Sequence, residues 1–171
     1  MNHNYNKTTM RILTTILAVS TLFLVSCNRY KKSKSGMPYK ISGSTSQKFK
    51  VGQFVKAHFL FKVKDSTLNS TYDHIPAYFK VDSSMVSKYN FTEVMFECGP
   101  GNTLEFKLSI DSLKKLGQLD YSQIFKKGDF IIGKVDFVKT FASAEEQQAD
   151  ANKEIENEKQ REIKAVKDYA A

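Results

Sequence analysis

Residues 54–64 alternate without a break: Val55, Ala57, Phe59, Phe61 and Val63 are all apolar, and Phe54, Lys56, His58, Leu60, Lys62 and Lys64 stand between them. A period of two puts the apolar set on one face of an extended chain, so the segment must be a half-buried strand. Two further runs repeat the pattern. Leu104, Phe106, Leu108 and Ile110 alternate after the turn Gly99-Pro100-Gly101-Asn102, and residues 130–141 follow a second turn at Lys126-Lys127-Gly128-Asp129. Between the first two runs, residues 90–97 carry Asn90 as a cap, Glu93 three residues on, and apolar residues suited to about two helical turns. Strands around one short central helix define an α+β domain over residues 49–141. With 13 Phe and 8 Tyr the chain has enough apolar surface for a core.

The chain opens differently. Lys7 and Arg11 precede an uncharged apolar stretch at 12–25, too short to span a bilayer but suited to a signal-peptide core. It ends in Leu24-Val25-Ser26-Cys27, which resembles a bacterial lipobox: residues 1–26 are expected to be removed and Cys27 acylated. Acyl chains on Cys27 would hold what that stretch cannot, at about 0.8 kcal/mol per buried methylene. Export follows, with attachment to the outer membrane facing the periplasm, since Asn28 is not an inner-membrane retention aspartate. Cys98 then stands alone and is expected to be a small buried apolar residue.

The net charge of +8 suggests nucleic acid until it is located. Arg29, Lys31, Lys32, Lys34 and Lys40 form an acid-free block at 28–40, whereas residues 142–171 hold eight acids against five bases. Residues 27–48 therefore read as a basic flexible tether that lifts the domain from the lipid and can touch anionic headgroups. No reader motif accompanies the charge, so nucleic acid is not an expected partner. Two Cys and three His are too few for a disulfide scaffold or a multi-Cys zinc module, and no metal or cofactor is expected. His58 falls on the polar strand face, His74 lies in a loop, and Asp65 and Asp73 flank a turn; none makes a convincing catalytic group.

The order and spacing of several segments resemble the FKBP-type peptidyl-prolyl isomerases. Residues 52–59 (GQFVKAHF) are similar to the family's GDxVxVHYxG strand, and residues 65–73 (DSTLNSTYD) to DGxxFDSSxxR. Pro76-Ala77-Tyr78-Phe79, the strand from Gly101 to Ile110 and the closing run from Phe125 to Val138 extend the likeness over residues 38–140. With the lipobox and the charged tail, the chain looks most like FKBP-type lipoproteins of Bacteroidetes. The resemblance implies a bent antiparallel sheet wrapped on a short helix, and a basin that binds an X-Pro segment and lets its peptide bond twist without metal or covalent step.

Carried over by position, the resemblance puts the pocket at Phe59, Leu68, Asn69, Ala77, Lys88, Phe91, Leu116 and Ile132. Phe59 keeps the ring of a family tyrosine without its hydroxyl. Leu68 replaces a phenylalanine, and Asn69 an aspartate. Ala77 falls near another aromatic position, with Tyr78 or Phe79 as substitutes if the register slips. Ser87 and Lys88 match the pair whose second backbone N–H meets the substrate. Phe91 stands at the tryptophan floor, Leu116 at a hydrogen-bonding tyrosine and Ile132 at a closing-strand aromatic. Catalysis is expected to be weak or lost, and clients are expected to be unfolded or proline-containing polypeptides. The second reading is a non-catalytic chaperone-like or partner-binding module on the same fold, in which those residues are simply core.

Residues 142–171 are rich in Ala, Glu, Gln and Lys without Gly or Pro, and Ser143 with Glu146 makes a capping box, so a long charged helix is expected. Ile155, Ile163 and Val166 give part of an apolar stripe, which suits a solvated helix or, as the alternative, a homodimer through paired helices. In the lipoproteins it resembles, such a helix leads to a second isomerase domain.

Overall fold

The computed structural model of the chain describes residues 29–170. The signal peptide and Cys27 lie outside the described residues. Each alternating run is a strand of one antiparallel sheet. In chain order the strands are β1 (Lys31–Lys32), β2 (Pro38–Ser42), β3 (Phe54–Val63), β4 (Ser66–Ser70), β5 (Ala77–Lys80), β6 (Thr103–Ser109) and β7 (Phe130–Phe141). They hydrogen-bond in the order β1-β2-β6-β7-β3-β4, with β5 paired to β3 beyond β4. A short helix α1 (Ile110–Lys115) follows β6, and α2 (Ala144–Ala170) closes the chain. The α+β class is that of an antiparallel sheet with a long C-terminal helix.

Strand parity divides the sheet into two faces. On the inner face Ala57, Phe59, Phe61 and Val63 stand opposite Phe137, Val135, Gly133 and Ile131 of β7, which in turn meet Leu104, Phe106 and Leu108 of β6. The segment between β5 and β6 covers this face, and Val81, Tyr89, Val94, Met95 and Cys98 are buried against the strands. Gly133 makes the packing possible. A Cβ there would come within 2.1 Å of the Phe106 ring, which lies directly over the Gly133 backbone.

Two expectations change on this framework. The segment 27–48 is no simple tether: β2 pairs with β6, and Met37 and Tyr39 are core residues, Met37 fully buried. Composition pointed to a flexible linker because Ser, Gly and Lys outnumber the few apolar residues that carry the packing. The expected two-turn helix at 90–97 is instead a pair of 3-10 turns, Phe91–Glu93 and Met95–Glu97, broken at Val94. Asn90 does cap the first, its Oδ1 accepting from the Thr92 N–H at 3.1 Å.

The outer face is shared. In β7 a bulge places Val138 as an extra residue, since Ala57 pairs with Phe137 but Lys56 with Lys139. The slip turns Lys139 and Phe141 to the outer face beside Lys56 and Tyr78. There α2 docks. Asp150 accepts from Lys56 at 2.8 Å, Tyr78 at 2.6 Å and Lys139 at 2.5 Å, and Glu154 takes Lys56 at 2.7 Å. Against the penalty of burial, the hydrogen bonds from Lys139, Lys56 and Tyr78 hold the Asp150 carboxyl well below the usual range. Ser143 Oγ accepts from the Glu146 N–H at 3.2 Å and starts the helix, whereas residues 161–170 are exposed throughout. Among the described residues no helix is long and apolar enough to cross a membrane.

Candidate functional site

An aromatic basin lies on the inner face where the covering segment leaves the strands half open. Phe91, the first residue of its 3-10 turn, packs over Phe106 with ring centroids 5.6 Å apart and nearly parallel, and meets Phe59 edge-on at 5.6 Å. Phe59 touches Phe61 at 6.3 Å and Phe79 at 6.4 Å. Phe106 is fully buried beneath, and Phe59, Phe61, Phe79 and Phe91 are each half-buried. The cluster follows from parity: Phe59 and Phe61 are successive inward residues of β3, and Phe79 sits opposite inward Val55. Rings in such offset and edge contacts gain about 0.5–1.5 kcal/mol per pair beyond their buried area.

Of the positions the resemblance supplies, Phe59 and Phe91 meet directly. Ala77 pairs with Ala57 and so faces inward, but its short side chain leaves the basin wall to Phe79, while Tyr78 points outward to Asp150. Asn69 pairs with Phe61 and shares its face. Leu68 is the extra residue of a bulge, between Thr67 opposite Lys62 and Asn69 opposite Phe61, and is exposed. Leu116 follows α1 and is about half exposed. Ile132 is not in the basin: it pairs with Lys62 and Lys107 on the outer face, and the inward neighbours are Ile131 and Gly133. One residue of register in a strand reverses the face. Phe61 and Phe106 complete the floor, and their signal in the sequence was membership of the two apolar alternating sets.

Lys88 is exposed and lines a cleft of about 530 Å³ with Lys34, Ser35, Val86 and Glu93. The wall is fastened by Glu93, whose carboxylate accepts from Ser33 Oγ at 2.7 Å, the Ser35 N–H at 2.8 Å, Ser35 Oγ and the Tyr89 N–H at 3.3 Å. Burial opposes its charge, yet the bonds from Ser35, Ser33 and Tyr89 hold the carboxyl below its ordinary value. Tyr89 sits at φ 56, a left-handed conformation costly for a bulky residue, with its ring buried and its hydroxyl accepting from the Ser109 N–H. The turn bearing Phe91 is thus held from both sides.

The Tyr39, Tyr72 and Tyr78 hydroxyls are committed to carboxylates. Tyr39 donates to Glu97 at 2.9 Å, Tyr72 to Asp136 at 2.5 Å and Tyr78 to Asp150. Burial and the Glu97 bond push the Tyr39 phenol up to about 12. His58 is engaged with Thr71 and stacks on Tyr72. The Cys98 thiol is fully buried and pushed up to about 12, chiefly by burial, so it is no nucleophile at neutral pH. What the site offers is an apolar aromatic surface.

No protein-family model matches the sequence, and no curated protein matches it. Among solved structures the chain is similar to FkpA from Escherichia coli, at 12% identity and a TM-score of 0.49, over 72% of this chain and 56% of that one. It is similar to a peptidyl-prolyl cis-trans isomerase from Pseudomonas syringae pv. tomato str. DC3000 at 12% identity and a TM-score of 0.46, over 82% and 98%. A third likeness is to AtFKBP13, at 14% identity and a TM-score of 0.45, over 66% and 99%. The chain spans just over half the length of FkpA. At these values the likenesses carry no argument about what this chain binds, and the functional reading rests on its own side chains.

Proposed function

We propose that the chain is an exported lipoprotein, anchored through Cys27 to the outer membrane, whose domain is an FKBP-type isomerase-like module for protein folding in the cell envelope. Its clients are unfolded or proline-containing polypeptides, taken up by the aromatic basin, with catalysis weak or lost. The observation that carries this reading is the half-open cluster of Phe59, Phe79 and Phe91 over Phe106. Twisting an X-Pro bond means crossing a barrier of about 18–20 kcal/mol. A dry apolar floor favours the twisted amide, because the planar form owes part of its stability to charge separation that water solvates. Orienting groups would have to supply the rest, and here Leu116 and Asn69 stand where the resemblance puts a hydroxyl and a carboxylate. Their absence favours the second reading, a binding module without turnover.

A proline-isomerisation assay beside a client-binding assay tests the proposal. The expected result is little or no rate, with binding of an unfolded, proline-rich chain that Phe91→Ala weakens. A rate equal to that of an ordinary FKBP-type enzyme, abolished by Phe91→Ala, would overturn the weak-catalysis reading; absence of both rate and binding would leave a structural module. Anchoring is tested separately: Cys27→Ala should leave an uncleaved precursor without acyl label.

A further inference from the structure

The half of the outer face that α2 leaves open carries apolar and basic side chains together. Ile132 stands at its centre, paired with Lys62 of β3 on one side and Lys107 of β6 on the other. Phe130, two residues away on the same face, and Ile132 are 44% and 38% exposed. The β2 register brings Pro38, with Lys32 opposite it, alongside the same row. Ion pairs flank this row, Lys64–Asp129 beside Phe130 on one side and Lys40–Glu105 and Lys134–Asp136 on the other; among the described residues none includes Lys32, Lys62 or Lys107. Exposed rings and aliphatics flanked by unpaired, long-stemmed cations are the composition of a surface that meets the headgroup layer of a bilayer.

Tyr30 lies beside this patch. Tyr30 donates to Glu105 at 3.2 Å, and the Lys107 ammonium sits 4.6 Å from the centre of its ring. Cys27 precedes Tyr30 by three residues, which span roughly 10 Å when fully extended. An acyl group on Cys27 would be attached within that reach of Tyr30. We infer that the surface of Ile132, Phe130, Lys62, Lys107 and Lys32 docks on an anionic phospholipid bilayer. The basin, on the opposite face, then opens away from the lipid toward its clients. The inference extends the anchoring reading, but the patch acts without Cys27, so the two can fail separately.

The sequence contains no Trp, so Phe130→Trp gives a single fluorophore inside the patch. All elements of the fold and all the contacts described lie within residues 29–170, and the probe is the processed chain from residue 28 onward. With vesicles of phosphatidylglycerol and phosphatidylcholine the emission should shift to the blue and be quenched by brominated lipid; with phosphatidylcholine alone partitioning should be much weaker. Each lysine near an anionic surface is worth about fivefold in partitioning, so Lys62→Gln with Lys107→Gln should weaken it about 25-fold. The same two-charge change on exposed α2, Lys159→Gln with Lys164→Gln, should weaken it less than twofold. Equal losses in the two pairs, a fluorophore that stays in water on bound protein, or tighter binding to a soluble acidic polypeptide than to vesicles would each overturn the inference.

Discussion

Replacing Glu93 by Gln tests whether the wall of the basin depends on one carboxylate. Glu93 gathers four donors, two serine hydroxyls and two backbone N–H groups, from Ser33, Ser35 and Tyr89. In its better orientation an amide of the same shape keeps the oxygen that takes Ser33 Oγ, Ser35 Oγ and the Tyr89 N–H and turns its NH₂ toward the Ser35 N–H, so one of the four bonds is lost and the other three lose their charge assistance. Hydrogen bonds to a charged group contribute about 1.5–3 kcal/mol each and neutral ones about 0.5–1.5. The net loss should be about 2–4 kcal/mol, a large part of a typical domain stability of about 5–15 kcal/mol. Part of it falls on Tyr89, held at φ 56, whose N–H bond to this side chain loses its charge assistance. In thermal unfolding the variant should melt on the order of 10 °C lower at neutral pH. The sign with pH follows from the depressed carboxyl: its stabilisation is complete above the unfolded value near 4.5 and is lost as pH falls through the lower folded value. The difference between wild type and Glu93→Gln should therefore shrink toward strongly acid pH. Client binding at the basin should weaken with it, because the same turn carries Phe91. Equal melting temperatures at neutral pH, or a gap that widens on acidification, would refute the reasoning.

Asp150→Asn should release α2 from the sheet. Lys56 keeps Glu154, so the loss is about 2–3 kcal/mol rather than that of a wholly orphaned buried charge, and it should read out as faster hydrogen exchange in the first half of α2 with the inner face unchanged. Since the Asp150 carboxyl is depressed, the wild-type helix should stay docked at pH 4 and loosen only well below it. Gly133→Ala should lower stability by about 1–3 kcal/mol through collision with the Phe106 ring, and Phe106→Leu in the same chain should recover part of the loss in a urea titration.

Strand periodicity made most of the sheet legible, because alternation in β3, β6 and β7 is dictated by which face is buried. The inward set read from residues 54–64 is the inward set of the fold, and Phe59 of that set meets Phe91. What the alternation could not show is phase beyond an irregularity. The extra residue at Val138 changes the face of Lys139 and Phe141, and the bulge at Leu68 takes that residue out of simple alternation. Ile132 was misplaced for the same reason in reverse, since motif spacing does not fix parity to one residue. The role of residues 33–37 was hidden in composition: two serines and a methionine in a lysine-rich stretch look like linker until Glu93, some 58 residues on, accepts from both serines.

The same parity accounts for the division of labour between the two faces. Because inward positions of β3 and β6 are spent on phenylalanine, their outward neighbours are free to be Lys62, Lys107, Lys56 and Glu105, and these serve different purposes by position alone. Lys56 lies beneath α2, where two carboxylates, Asp150 and Glu154, turn a buried cation into a clamp. Lys62 and Lys107 lie beyond the helix, and among the described residues neither has an ion pair, Lys107 lying instead over the Tyr30 ring. A longer docked portion of α2, continuing its acids over Ile132, would neutralise that row. Instead the helix engages His74 through Glu158, toward the opposite edge of the sheet from β1. The direction in which one helix leaves the bulge in β7 thus decides which half of the outer face remains exposed, and the Phe91 basin on the other face is untouched by that choice.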